Sequence, residues 1–348
     1  MSSNSKKIAV AMSGGVDSSV TAFLLKEQGY QVVAITGDMA GDDELLKKAK
    51  GICEHLDIEH VVLDLKSKFQ KEVIDYFEET YKSGATPNPC SLCNRNVKWG
   101  SLFDYAINEL HCDYFATGHY ANVAMDNGIY RLERAQCDNK DQLYFLCFLT
   151  QKDLAKTIFP LGKYSSKDEI REIAIKNGLP SQSYKDSQGI CFIKKPLSVK
   201  KYLYRKFGEQ RGKVINVSTG KVIGKHDGYY QYTVGQRKGL GIADKFPLYV
   251  TEIDSVNNIV YVGYEADVYS RELTMSQINW QQEDLKNKEF IAMAKVRYNS
   301  PARKCTVSAT ETSAKVVFDE DIFGIARGQF CVIYDENNRY LIAGGKID

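Results

Sequence analysis

The run Ser13-Gly14-Gly15-Val16-Asp17-Ser18-Ser19 could do chemistry on residue type and spacing alone. It follows the apolar Ile8-Ala9-Val10-Ala11-Met12 and opens the helix-like run Val20 to Gln28, giving the order strand, glycine-rich turn, helix. Backbone N–H groups of such a turn, with the positive end of a helix dipole behind them, make an anion site. Gly14 and Gly15 let backbone approach a phosphate closely, and Ser13, Ser18 and Ser19 add hydroxyl donors. Asp17 is odd in a pure anion site; a carboxylate there suits a Mg2+ ion shared with the phosphates. No Gly-Lys-[Ser/Thr] follows, so the run is not an ordinary P-loop, and the dinucleotide spacing Gly-x-Gly-x-x-Gly is also absent.

Thiols form the second set. Cys90 and Cys93 end the stretch Lys82 to Cys93, in which Gly84, Pro87 and Pro89 forbid regular structure and stiffen the loop. Four chemistries remain open for this pair. It could be a redox dithiol, half of a zinc site, part of an iron–sulfur site with Cys191 as third ligand, or a nucleophilic pair in which one thiol carries sulfur and another resolves a disulfide. Cys191 lies in the apolar strand-like run Gly189-Ile190-Cys191-Phe192-Ile193, but Asp186, Ser187 and Gly189 beside it are unlike a core strand. The remaining cysteines, Cys53, Cys112, Cys137, Cys147, Cys305 and Cys331, sit in apolar or amphipathic contexts that predict buried thiols. His119 could be a core histidine or could bond a phosphate or base. Lys140-Asp141-Gln142 and Gly235-Gln236-Arg237-Lys238-Gly239 read singly as solvated turns as readily as binding loops.

The elements that must position these groups alternate. Strands are expected at Tyr30–Ile35, His60–Leu65 and Asp113–Thr117. Helices are expected at Asp42–Leu56, Phe69–Tyr81 and Asn94–Leu110. This order implies an α/β fold with a parallel sheet covered by helices on both faces, whose ligands bind beyond the carboxyl ends of the strands. The glycine turn, Gly37 and Gly118-His119 all fall there. Lys140-Asp141-Gln142 opens a helical run, Leu143 to Leu149, and Ser166-Lys167-Asp168-Glu169 reads as a capping box for a helix closed by Gly178 and Pro180. After about residue 206 strand-like runs replace helical periodicity, at 213–217, 249–253 and 259–262, then near 291–298, 304–310, 314–318 and 329–334. The expected division is a catalytic domain at 1–205, a small β-rich domain at 206–268 and a C-terminal β-barrel at 269–348.

Lys+Arg is 46 against Asp+Glu 44 in 348 residues, a balance that neither demands nor excludes nucleic acid. An odd number of cysteines, nine, does not suit a secreted disulfide framework. No apolar run approaches transmembrane length and Met1–Lys7 lacks a signal-peptide pattern, so the cytoplasm is the expected compartment.

The glycine loop resembles the PP-loop of enzymes that split ATP into AMP and pyrophosphate. The resemblance extends over almost the whole chain, in order, to the tRNA-specific 2-thiouridylase family. It is carried by Ala11 to Ser19, Thr86-Pro87-Asn88-Pro89 through Cys93-Asn94, Ala116-Thr117-Gly118-His119-Tyr120 and Asn139 to Gln142. Further matches are Lys185-Asp186-Ser187 with Gly189 to Ile193, Gly235 to Ile242, Arg297-Tyr298 and Gly328-Gln329. The resemblance implies thiolation of carbon 2 of the wobble uridine in tRNAs for Lys, Glu and Gln. It implies that Ala11, Met12, Ser13, Gly14, Gly15, Val16, Asp17 and Ser18 bind ATP with Mg2+, with Gly37 and Gly118 near the adenine. It makes Cys93 the nucleophile and Cys191 the persulfide carrier, joined in a transient Cys93–Cys191 disulfide. Asn88, Pro89 and Cys90 would meet the target base, and His119, Lys140, Asp141, Gln142, Arg297, Tyr298 and Gln329 would contact tRNA. A cysteine desulfurase or relay protein would supply sulfur. Many relatives carry Asp where this chain has Cys90, so a 4Fe-4S cluster on Cys90, Cys93 and Cys191 is a second route to the same product. A PP-loop amidating ligase is the more remote alternative; it would need no thiol set. The segment Gly37 to Asp43 is shorter than in most relatives, which bears on the adenine contact of Gly37.

Overall fold

A computed structural model describes residues 5–184 and 189–348. Lys185, Asp186 and Ser187 of the resemblance therefore lie outside the described residues. The chain forms two compact units. One holds the residues up to Val73, those from Cys90 to the end of that described stretch, and Arg339–Leu341; the other holds Ile74–Pro89, Gly189–Asn338 and Ile342–Asp348.

The first unit is built on a sheet. Its strands are β1 (Lys7–Ala11), β2 (Gln31–Asp38), β3 (Glu59–Asp64), β4 (Tyr114–Ala116) and, after a hairpin of β5 (Asn122–Asp126) and β6 (Ile129–Glu133), β7 (Thr157–Ile158). The sheet is parallel throughout, in the order β3-β2-β1-β4-β7. Ile8, Ala9 and Val10 of β1 are fully buried, as an apolar run without alternation requires of a central parallel strand. Val20 and Leu25 from helix Val16–Glu27, Ala49, Ile52 and Cys53 from Asp43–His55, and Ile170 and Ala174 from Lys167–Lys176 share the core with β1. Sequence order reverses at β1, with β2 on one side and β4 on the other. The turns after β1 and β4 therefore flank the one crevice such a sheet offers a ligand.

Four local expectations are corrected here. The loop expected to run irregularly to Cys93 instead forms a helical turn at Pro89–Leu92, because Pro89 sits at the first helical position, where its missing N–H is no loss. The single helix expected at Asn94–Leu110 is a π-type stretch, Cys93–Leu102, followed by an α-helix, Phe103–Asn108. The helix after Gln142 stops at Leu146. The cap at Ser166 is half realised: its Oγ accepts from Glu169 N at 3.2 Å, while the Glu169 carboxylate takes the Ser165 hydroxyl.

In the second unit, helix Val199–Phe207 spans the point where helical character was expected to end. A four-stranded sheet follows, made of β8 (Gly212–Asn216), β9 (Val222–His226), β10 (Tyr249–Asp254) and β11 (Ile259–Gly263) in the order β10-β11-β8-β9, with β8 and β11 parallel. A closed barrel is then formed by β12 (Tyr269–Trp280), β13 (Glu289–Lys295), β14 (Arg303–Ala309), β15 (Ser313–Phe323), β16 (Phe330–Tyr334) and β17 (Leu341–Ile347), in the order β12-β15-β14-β13-β16-β17. Closure removes the exposed edges that an open sheet of this length would present. Gly189–Ile193, expected as a strand, is a turn in which Ile193 N donates to Ile190 O at 3.0 Å. Gly189 at φ 88° breaks the extended path.

Candidate nucleotide and thiol sites

The glycine loop leaves β1 and enters helix Val16–Glu27 through Gly15, which has no side chain to cap the first-turn N–H groups. Those N–H groups and the helix dipole could receive an anion. Gly14 has φ 75°, and a Cβ there would stand 3.0 Å from Lys48 Cβ and 3.1 Å from Ala49 N, so both conformation and packing demand glycine. The Ser13 and Ser18 hydroxyls are 3.1 Å apart, and Ser18 Oγ and Ser19 Oγ donate to Gly15 O at 3.1 and 2.7 Å. These bonds hold the loop closed on itself.

Gly118, from the turn after β4, presses against the same loop. A Cβ there would lie 2.9 Å from the backbone carbon and the Cβ of Asp17. Gly37 lies near the carboxyl end of β2, lined by the ends of Leu65, Met39 and Leu102. The structure thus brings the glycine loop and Gly118 into contact within one unit, and places Gly37 on the strand beside β1.

Asp17 is the electrostatic centre of this site. Lys167 Nζ sits 2.6 Å from both carboxylate oxygens, and Tyr120 Oη donates to Oδ1 at 2.9 Å. Gln142 backs this arrangement: Tyr120 N donates to its Oε1 at 3.0 Å, and its own N donates to Tyr120 O at 2.9 Å. Sequence reasoning placed Lys167 only within the capping box Ser166 to Glu169 and gave it no role. The signal was available, because a cation at the first position of a helix opposes the dipole and needs a local reason. Here the reason is Asp17.

Expected tRNA contacts fall into different environments. Lys140 is exposed. Asp141 is buried, accepts from Ala135 N at 3.2 Å and pairs with Arg134 at 3.6 Å, so its carboxylate works inside the fold. His119 is half-buried, with Nδ1 2.7 Å from Thr117 Oγ1 and Nε2 3.4 Å from Lys98 Nζ. An ammonium only donates, so Nε2 accepts and the proton rests on Nδ1, facing Thr117. Burial, with the Lys98 charge second, pushes the imidazole pKa well below its ordinary 6.5. His119 is therefore a neutral group at physiological pH.

In the second unit Arg297 donates to Val234 O at 2.8 Å and to Gly324 O, bracing the loop before Gly235. Tyr298 is half-buried under Lys295, and Gln329 donates to the carbonyls of Thr86 and Pro87. Asn88 is buried.

The thiols divide by exposure. Cys53, Cys112, Cys137, Cys147, Cys305 and Cys331 are buried, as their contexts predict; Cys90 and Cys191 are exposed and Cys93 is half-buried. Burial pushes the Cys53 and Cys305 thiols up to about 12, which makes them inert as nucleophiles. Cys93 opens the π-type stretch of the first unit, beside Asn94, whose amide donates to Phe145 O at 2.9 Å. Cys191 rides on a turn whose neighbour Phe192 packs edge-on against Phe77, with ring centroids 5.2 Å apart, and against Tyr202 at 6.0 Å. Among the described residues no group of three or more His, Cys, Asp or Glu side chains is arranged to hold a metal ion. None of their helices is long and apolar enough to cross a membrane.

A parallel sheet with an uncapped glycine loop at its order reversal, followed in sequence by a mixed sheet and a closed barrel, defines a HUP-type domain carrying two β modules. Family models match in that order: a tRNA methyl transferase HUP domain over residues 6–195, a tRNA methyl transferase PRC-barrel domain over 200–264 and an aminomethyltransferase beta-barrel domain over 270–347. Full-length relatives make the assignment narrower. The chain is 41% identical over 351 residues to the tRNA-specific 2-thiouridylase MnmA of Trichormus variabilis, covering 99% of each chain. It is 43% identical over 350 residues to that of Pelobacter propionicus, covering 98% of this chain and 97% of the relative. The chain belongs to the tRNA-specific 2-thiouridylase family.

Proposed function

We propose that this protein transfers sulfur to carbon 2 of the wobble uridine of tRNAs of the Lys, Glu and Gln type, at the expense of ATP. The observation that carries the reading is the division of the thiols. Cys90, Cys93 and Cys191 are the cysteines that reach solvent, in a chain that also holds an intact anion loop.

The chemistry balances as follows. The C2 oxygen attacks the α-phosphorus of ATP, pyrophosphate leaves, and the base carries AMP as a leaving group. Cys191 enters as a persulfide loaded by a sulfur-donor protein such as a cysteine desulfurase or relay protein. The Cys93 thiolate attacks the inner sulfur, forming a Cys93–Cys191 disulfide and releasing the outer sulfur as hydrosulfide. Hydrosulfide adds to C2, and the C2–O bond breaks as AMP departs. A cellular thiol then reduces the disulfide with two electrons. Asn88, Pro89 and Cys90 form the stretch that meets the base.

The residues of the anion loop supply the electrostatics of the first half. N–H groups at the start of helix Val16–Glu27 face the charge that builds on pyrophosphate. Mg2+ arriving with ATP would neutralise the phosphates, and Asp17 is the carboxylate able to hold its water shell. Lys167, paired with Asp17, would supply a second positive charge beside the leaving group.

The test is thiolation in vitro with tRNA, ATP, Mg2+ and a persulfide donor, read by mass spectrometry of the nucleosides. Wild type yields 2-thiouridine with one AMP and one pyrophosphate per base. Cys191→Ser and Cys93→Ser abolish the product and keep tRNA binding. Near-full turnover by either variant, or release of ADP, would overturn the reading.

A further inference from the structure

The segment Lys82–Pro87 leads into Asn88-Pro89-Cys90, and backbone-directed contacts grip it along its length. From one side Tyr229 Oη donates to Lys82 O at 2.7 Å and Ser255 Oγ donates to Ser83 O at 3.0 Å. A Cβ on Gly84 would stand 3.2 Å from Ile253 Cγ2 and Ser255 Cβ, at a φ of +78°. From the barrel side Thr86 N donates to Arg327 O at 2.8 Å. Gln329 Nε2 donates to Pro87 O at 2.9 Å and to Thr86 O at 3.3 Å. Both acceptors are carbonyls, so the amide nitrogen of Gln329 must face them. Gly328 completes the grip: it has φ +85°, and a Cβ on it would lie 3.0 Å from Thr86 O and from the Ala85 Cβ. The gripping turn is in turn tied to the last strand, since Gly328 N donates to Ile347 O at 2.9 Å and Ile347 N donates to Gln329 O at 2.8 Å.

A loop with prolines at 87 and 89 cannot pair its carbonyls in a regular ladder, and unpaired backbone groups cost free energy once water is excluded. Gln329 supplies the missing donors. We infer that Gln329 is a positioning residue, whose carboxamide carried by the barrel fixes the Thr86–Pro87 backbone and thereby the stretch that meets the base. The inference rests on the role given above to Asn88-Pro89-Cys90, and its test separates the two.

Gln329→Glu keeps the shape and removes the donors; Gln329→Ala removes the contact without adding charge; Gly328→Ala strains the same grip independently. Hydrogen exchange of the Thr86 amide, measured on the protein without substrate, is expected to quicken about tenfold in Gln329→Ala, the loss of roughly one net hydrogen bond. In Gly328→Ala, which keeps the Gln329 side chain, the turnover number for tRNA thiolation falls about tenfold while the dissociation constant for tRNA stays within about twofold. Unchanged exchange at Thr86 in all three variants overturns the inference. So does weakened tRNA binding with full turnover, the signature of a direct RNA contact. Wild type that fails to thiolate tRNA would defeat the proposed function alone, because the exchange measurement judges the grip without it.

Discussion

Lys167 occupies the first position of its helix, where the dipole repels a cation, and spends its charge on Asp17 at 2.6 Å. Lys167→Gln is expected to lower kcat/KM for ATP by about 10–100-fold, the range for a hydrogen bond to a charged group, with tRNA affinity unchanged. Steady-state kinetics with varied ATP and a tRNA titration check this; equal losses for both ligands would contradict it. Alkylation of the reduced protein gives a second residue-scale prediction. Cys90 and Cys191 should label within minutes at neutral pH, Cys93 more slowly, and the buried cysteines only in denaturant, as peptide mass spectrometry would resolve. Rapid native labelling of Cys53 or Cys305 would contradict the raised pKa of both. The division of the thiols was legible because apolar neighbours in sequence became apolar neighbours in space. Asp141 and Gln142 were not legible as fold residues, since their partners, Ala135, Arg134 and Tyr120, come from other turns.

At the scale of elements, the parallel sheet was readable because its apolar runs have no competing period. The π-type stretches Gln70–Asp75 and Cys93–Leu102 were not, because side-chain spacing barely distinguishes them from an α-helix. Strand β12 escaped notice for a different reason. Gln277 has φ 52° and its register with β17 shifts between Ser276 and Asn279, so inward and outward residues do not alternate cleanly. Helix Val199–Phe207 escaped because only Leu203 is fully buried in it. Tight glycines give the sharpest prediction here. A Cβ on Gly162 would stand 1.9 Å from Ala121 O, a backbone atom of the first unit. Gly162→Ala should cost about 2–4 kcal/mol in chemical denaturation. A cost below about 1 kcal/mol would show that the turn after β7 yields.

The whole molecule carries an acid sensitivity. His60, His119 and His226 all have pKa values lowered from 6.5, each chiefly by burial. In the unfolded chain these rings bind protons as pH falls through about 6.5, and in the folded protein they do not. The unfolded state then holds more protons, so the stability they contribute is complete above pH 6.5 and drains away below it. The melting temperature should fall steadily from pH 7 to pH 5, and His119→Gln should flatten the decline. A melting temperature that rose on acidification would refute the assignment.

The make-up of the second unit sets an order of events on the ribosome. Ile74–Pro89 is synthesised early, yet the residues that cover and grip it come from Gly189–Asn338 and Ile342–Asp348. Phe77 waits for Phe192 and Tyr202, and Thr86 for Arg327 and Gln329, the last of these 243 residues further along the chain. Until then its apolar side chains lack the partners that cover them in the folded protein. A ribosome stalled anywhere before residue 327 therefore yields a chain with its glycine loop already encoded and its Thr86–Pro87 backbone still ungripped.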